Sequence, residues 1–187
     1  MLDDYYLNLL DWSSANMLAV GLGSCVYLWD AASGEIELLM ETKEESENIT
    51  CVNWMSDGSH LAIGLSNNDV QLWEVERKKC VRTMKGHLAR VGALAWNSHV
   101  LSSGSRDSNI FHHDVRVAQH HIATLSGHQQ EICGLKWSPD GTQLASGGND
   151  NLCCIWDINS TTPKHTFSES AAAVKVLPPP SIFLVQR

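Results

Sequence analysis

Apolar residues in this chain fall into short runs of strand length, each broken by turn residues before it could grow into a helix. The first four runs lie near 7–12, 17–21, 25–29 and 35–40, and the same order of runs then recurs. Tryptophans of the first run in each copy, Trp12, Trp54, Trp96 and Trp137, stand 42, 42 and 41 residues apart. Glycines of the second run, Gly21, Gly64, Gly104 and Gly147, are spaced 43, 40 and 43. The third run closes on Trp29-Asp30, Trp73-Glu74, His113-Asp114 and Trp156-Asp157, spaced 44, 40 and 43. Three separate markers keep one period, and a period of about 40–45 residues marks propeller blades.

The fourth copy is the most complete and reads as one WD repeat. Gly127-His128 opens it, Trp137-Ser138-Pro139-Asp140-Gly141 makes its first turn, Ser146-Gly147-Gly148-Asn149-Asp150 its second, and Trp156-Asp157 closes it. Pro-Asp-Gly is turn chemistry, because proline pre-sets φ and glycine accepts a positive one. His128, Ser146, Asp150 and Trp156 have the spacing of a hydrogen-bonded tetrad: a carboxylate orients the histidine, which reaches the indole N–H through the serine hydroxyl. Such a network is valuable only if every member is satisfied. The third copy offers His87, Ser103 and Asp107 with His113 in the tryptophan slot, where an imidazole N–H can still donate to Ser103. In the second copy the tetrad decays, with Asn67 at the carboxylate position and no Gly-His ahead of it.

The expected fold is all-β, a WD-repeat β-propeller portion of about four blades, at 7–40, 49–84, 86–125 and 127–168 within residues 1–176. The acidic connector 41–48 is expected to be a solvated loop, and residues 172–176 start like another first strand. Leu177-Pro178-Pro179-Pro180 cannot donate to a central ladder, so 177–187 reads as an unrelated Pro-rich tail. All seven tryptophans fall in first or third runs and are expected to be buried.

Composition narrows the function. An apolar content of 43 % over 187 residues is globular, and a net charge of −8 argues against a nucleic-acid footprint. No apolar stretch approaches the roughly 18 residues of a membrane span. The start, Met1-Leu2-Asp3-Asp4, lacks the regions of a secretory signal. Six cysteines without C-x-x-C spacing favour reduced, buried thiols, hence cytosol or nucleus. His112, His113, His120 and His121 invite a metal reading, but adjacent residues on a strand point to opposite faces, so neither a metal nor another cofactor is expected. Ser, His and Asp recur because the tetrad repeats, not because a nucleophile is activated, so no enzyme is expected.

More specific stretches sit on this frame. Asp4-Tyr5-Tyr6-Leu7-Asn8-Leu9-Leu10-Asp11-Trp12, Arg90-Val91-Gly92-Ala93-Leu94-Ala95-Trp96-Asn97, His112-His113-Asp114-Val115-Arg116 and Glu131-Ile132-Cys133-Gly134-Leu135-Lys136-Trp137 are four of them. Together they resemble the Fizzy-type coactivators of the anaphase-promoting complex over about residues 3–175, with the double histidine stretch closer to the mitotic cell-division-cycle branch. The resemblance implies a seven-bladed propeller that presents degrons to a ubiquitin ligase in nucleus and cytoplasm. It implies as partners the subunits of that complex, degron-bearing proteins such as cyclins, and spindle-checkpoint proteins.

It also implies an N-terminal ligase-binding arm and a terminal Ile-Arg. The sequence here has four blades and ends in Gln186-Arg187, so the expectation is a truncated coactivator. Four blades of seven would expose apolar inter-blade faces, making the isolated chain marginally stable or self-associating. The alternative function is a non-activating fragment that competes for motif-bearing partners or serves as a general WD interaction scaffold.

Three sites follow from the resemblance. Asp4, Tyr5 and Asn149 match a half-pocket for KEN-type degrons, where a carboxylate suits a lysine ammonium and an amide pairs with an extended peptide. Their plainer readings are a solvated charge, a rim aromatic and a turn former. A destruction-box receptor between blades 1 and 7 is not expected here. The groove between blades 2 and 3 carries Arg77, Lys78, Lys79, Arg82 and Lys85, with Lys78, Lys79 and Arg82 the candidates for contact with an acidic peptide. The plainer reading makes these the exposed face of an edge strand.

Overall fold

The computed structural model describes residues 6–44 and 46–175, so Asp4, Tyr5 and the tail 177–187 lie outside it. The described residues form four four-stranded antiparallel sheets, each built from strands consecutive in sequence. The first holds β1 (Leu10–Trp12), β2 (Met17–Leu22), β3 (Cys25–Asp30) and β4 (Ile36–Glu41). The second holds β5 (Ile49–Trp54), β6 (His60–Leu65), β7 (Val70–Glu74) and β8 (Lys79–Met84). The third holds β9 (Val91–Asn97), β10 (Val100–Ser105), β11 (Asn109–Asp114) and β12 (His121–Ser126). The fourth holds β13 (Ile132–Trp137), β14 (Gln143–Gly148), β15 (Cys153–Asp157) and β16 (His165–Phe167).

Burial explains the pattern of the runs. Strands β5 and β6 are covered on both faces and read as near-continuous apolar stretches, whereas β4, β8 and β12 are outer strands with mostly exposed or half-buried residues. The chain divides into two compact units, Met1–Val91 and Gly92–Arg187, each with its own apolar cluster. In the first unit Leu28, Ile49, Trp54, Leu61 and Ile63 are among the buried residues of the core. In the second the cluster includes Ile110, Ile132, Leu135, Leu144 and Trp156.

Within each unit one sheet is stapled to the next by the same two devices. The first is a glycine in the second strand. A Cβ on Gly21 would stand 2.8 Å from Ile49 Cγ2, and one on Gly104 would stand 2.5 Å from Ile132 Cγ2, so the first strand of the following sheet packs directly on backbone. Gly147 stands in the same relation to Val174, whose N–H donates to Gly148 O at 3.1 Å. Residues up to 175 therefore lie where a following first strand begins. The second device is polar. Asp11 Oδ2 accepts from Asn53 Nδ2 at 2.9 Å and from the Trp54 amide at 2.6 Å, while Trp54 Nε1 donates to Asp11 O at 3.2 Å. In the second unit Asn97 Nδ2 donates to Gly141 O at 2.9 Å, and Trp137 Nε1 donates to Ser102 Oγ at 3.0 Å.

The tryptophans correct one expectation. Trp54, Trp137 and Trp156 are buried and Trp29, Trp73 and Trp96 half-buried, but Trp12 is 53 % exposed. Trp12 makes its ring contact inside its own sheet, edge-on to Trp29 at 5.9 Å, and donates only to the nearby Asn16 Oδ1 at 3.3 Å. Among the described residues Trp12 is not part of the apolar cluster that covers Trp54 in the core of the first unit.

Candidate functional site

The fourth sheet brings its four predicted residues into one hydrogen-bonded line. Trp156 Nε1 donates to Ser146 Oγ at 2.8 Å, His128 Nε2 lies 2.7 Å from the same oxygen, and His128 Nδ1 lies 3.0 Å from Asp150 Oδ2. One assignment of protons satisfies all of them. The indole N–H donates to Ser146, whose hydroxyl donates to His128 Nε2, and His128 Nδ1–H donates to Asp150. The carboxylate also accepts from the amides of Gln129 at 2.8 Å and Leu152 at 3.1 Å. Burial pushes the Asp150 carboxyl up, but the Gln129 amide and the His128 side chain outweigh it and hold the carboxyl below its ordinary value. The Gly-His dipeptide has a steric cause. A Cβ on Gly127 would stand 2.8 Å from Trp156 Cη2, and one on Gly148 would stand 2.6 Å from His128 Nδ1.

The other sheets solve the same position differently. In the third, His113 Nε2 lies 3.1 Å from Ser103 Oγ, and its Nδ1 lies 3.0 Å from His120 Nδ1. Asp107 Oδ1 accepts from the Asn109 amide at 2.9 Å in the turn before β11, and His87 is buried. In the second sheet Ile63 takes the serine position, fully buried, and Trp73 Nε1 donates instead to Gln71 Oε1 at 2.8 Å. Asn67 donates to Glu47 Oε1 at 2.7 Å rather than serving a histidine. In the first sheet Val20, directly before Gly21 and paired with Tyr27, holds the serine position and is half-buried. The serine is thus replaced by an apolar side chain while the tryptophan stays, and in the second sheet Gln71 takes over as acceptor for the indole N–H.

A second network escapes sequence reasoning. His112 Nδ1 lies 3.0 Å from Ser102 Oγ, which also accepts the Trp137 indole N–H, and the two rings stand 5.5 Å apart. It occupies the opposite face of β10 and β11 from Ser103 and His113. The one signal for it is the doubling of Ser and His at adjacent positions. Burial lowers the His112 imidazole to about 4, so the ring is neutral at pH 7. Burial likewise raises the Cys51 thiol to about 12 and the Cys153 thiol to about 11, which keeps both out of the thiolate form.

The candidate peptide-binding residues lie at the edges of this scaffold. Asn149 sits in the β14–β15 turn, with its amide N–H donating to Glu131 O at 2.8 Å and its Nδ2 donating to Gln130 Oε1 at 2.8 Å. That pairing presents an oriented carboxamide at the surface. Asp4 and Tyr5, the other two members of the half-pocket, lie outside the described residues. The cationic strip occupies the β7–β8 turn and β8. Lys78, at a φ of 48° in the turn, pairs with Glu37 at 2.6 Å, Arg77 with Glu74 at 3.2 Å and Lys85 with Asp69 at 3.5 Å. Lys79 is exposed and Arg82 half-buried. Three of the five cations thus already face carboxylates of their own unit, which weakens the strip as an anion site.

The WD40 domain model described as CDC20/Fizzy matches residues 1–178. The chain belongs to the CDC20/Fizzy WD40 family. It is 58 % identical over 180 residues to "Anaphase-promoting complex subunit cdc20" of Dictyostelium discoideum, covering 95 % of this chain and 36 % of that protein. It is 55 % identical over 177 residues to "WD repeat-containing protein slp1" of Schizosaccharomyces pombe, covering 95 % and 36 %. A chain in a crystal structure of the mitotic checkpoint complex superposes with a TM-score of 0.91 at 56 % identity, covering 94 % of this chain and 53 % of that one. The fold is therefore that of a CDC20/Fizzy WD40 propeller, and the chain spans about a third of the length of the curated relatives it matches.

Proposed function

We propose that this chain performs substrate recognition for the anaphase-promoting complex, binding short degron motifs of cell-cycle proteins for presentation to the ubiquitin ligase. The observation that carries this is the 58 % identity, along 95 % of the chain, with a relative named as a subunit of that complex. Its partners are subunits of the ligase, degron-bearing proteins such as cyclins, and spindle-checkpoint proteins. The last are supported by the likeness to a chain of the mitotic checkpoint complex. The chain works as a binding module in nucleus and cytoplasm, where six cysteines joined by no disulfide stay reduced.

Asn149 is the degron contact proposed in the second unit, while Asp4 and Tyr5 are candidates on the resemblance alone. The oriented Asn149 carboxamide supports that contact, since an amide offers donor and acceptor together to an extended peptide. Lys79 and Arg82 are secondary anion contacts, with Lys78 engaged by Glu37.

Capture from a mitotic extract tests the reading. Tagged chain is expected to retain ligase subunits and a degron-bearing substrate together. Retention of substrate without ligase would make it a competitor, and retention of neither would remove the proposal.

A further inference from the structure

The chain has two Ser/Thr-Pro dipeptides, Ser138-Pro139 and Thr162-Pro163, and the fold treats them in opposite ways. Ser138 is buried in the β13–β14 turn. Its hydroxyl donates to Asp140 Oδ1 at 2.5 Å and accepts from the Gln143 amide at 3.0 Å, so it is committed to holding that turn. Thr162 is exposed in the segment between β15 and β16. Its local bonds are made with a neighbour: Ser160 Oγ donates to Thr162 O at 2.8 Å and lies 3.3 Å from Thr162 Oγ1.

The element after Thr162 is weakly held. Strand β16 is three residues long, all exposed, and among the described residues pairs with β15 alone. Pro163 is half-buried, with its ring carbons 3.4 Å from where a Gly127 Cβ would stand, so presenting it requires β16 to lift away. Short edge elements with few buried contacts open at small cost. A following proline also biases Thr162 toward extended backbone, the form in which a kinase cleft takes a peptide. Lys164, two residues on, holds its ammonium 3.0 Å from Asp157 Oδ2 in an exposed pair.

We propose that Thr162 is a phosphoacceptor for a proline-directed serine/threonine protein kinase. Thr162 Oγ1 attacks the γ-phosphorus of ATP. The new O–P bond forms as the bond to the β–γ bridging oxygen breaks, ADP leaves, and the hydroxyl proton passes to the kinase base. The added phosphate carries about two negative charges at neutral pH and competes with Asp157 for Lys164. It converts the outer edge of the fourth sheet from a neutralised pair into an anionic, phosphate-bearing surface.

The test incubates the intact 187-residue chain with a proline-directed kinase, ATP and Mg²⁺ and maps the phosphate by mass spectrometry. One phosphate on Thr162 is expected, with Ser138 unmodified. The signal is expected to be lost in Thr162→Ala and also in Pro163→Ala, which keeps the acceptor hydroxyl and removes the directing residue. Ser138 is expected to become a substrate only when the chain is first unfolded in urea and digested to peptides. The proposal is overturned if Thr162 is modified in those peptides but not in the intact chain, or if Pro163→Ala is phosphorylated as well as the unaltered chain.

Discussion

Ser146 accepts one hydrogen bond and donates another inside a fully buried site, which makes it the most exacting single residue of the fourth sheet. Ser146→Ala leaves the Trp156 N–H and the His128 ring nitrogen without their partner, and orphaned buried groups cost about 1–3 kcal/mol each. Urea unfolding is expected to show a loss of roughly 2–4 kcal/mol. Trp156→Phe added to Ser146→Ala is expected to cost less than the sum of the two, because the second change removes a donor already orphaned. Strict additivity would mean the line of bonds is not acting as one unit. His112 supplies a pH dependence. Its folded value of about 4 lies below its ordinary 6.5, so between those limits the unfolded chain binds the extra proton. Stability contributed by the neutral ring is complete above pH 6.5 and is lost as pH falls toward 4, by about 3 kcal/mol at most. The depressed carboxyl of Asp150 adds a loss of the same sign at lower pH. In His112→Asn, stability measured from pH 7 to pH 5 is expected to fall less steeply than in the unaltered chain, and an unchanged slope would refute the assignment.

Among the elements, the second strands carry the rule that sets sheet upon sheet. At Gly104 a Cβ would meet Ile132 Cγ2 at 2.5 Å, so Gly104→Ala forces β13 away and is expected to destabilise by about 1–3 kcal/mol. Gly23 is the control. A Cβ there meets nothing, so Gly23→Ala costs only the strain of its positive φ, about 1 kcal/mol. Combining Gly104→Ala with Ile132→Gly, which removes both the Cγ2 and the Cβ that crowd the site, is expected to cost less than the two losses added; a full sum would assign the glycine another role. These positions show how far the sequence could be read. The period of Gly21, Gly64, Gly104 and Gly147 is visible in the chain and marks the sheets, but what Gly21, Gly104 and Gly147 pack against lies 27–28 residues ahead, in Ile49, Ile132 and Val174. The tetrad of the fourth sheet is legible because all four members keep the spacing of the repeat. The Ser102–His112–Trp137 network is not, since it joins two sheets across 35 residues and uses the face that the repeat pattern leaves unassigned. Trp12 and Trp54 share one run position, and the apolar cluster that covers Trp54 distinguishes buried from exposed. Asn149 carries no signal in the sequence beyond family resemblance, and its bond to Gln130 has none.

For the whole molecule, each of the two units sets two sheets around its own apolar cluster and carries candidate residues at its turns, a placement that suits the proposed binding of extended peptides. The most direct measurement is a fluorescence-anisotropy titration of a labelled KEN-motif peptide with the intact chain, run beside a scrambled peptide and beside Asn149→Ala. Saturable binding of the motif alone is expected, weakened in Asn149→Ala by about fivefold or more, as for loss of one to two hydrogen bonds. Equal binding of motif and scrambled peptides, or none by either, would contradict degron recognition by this chain.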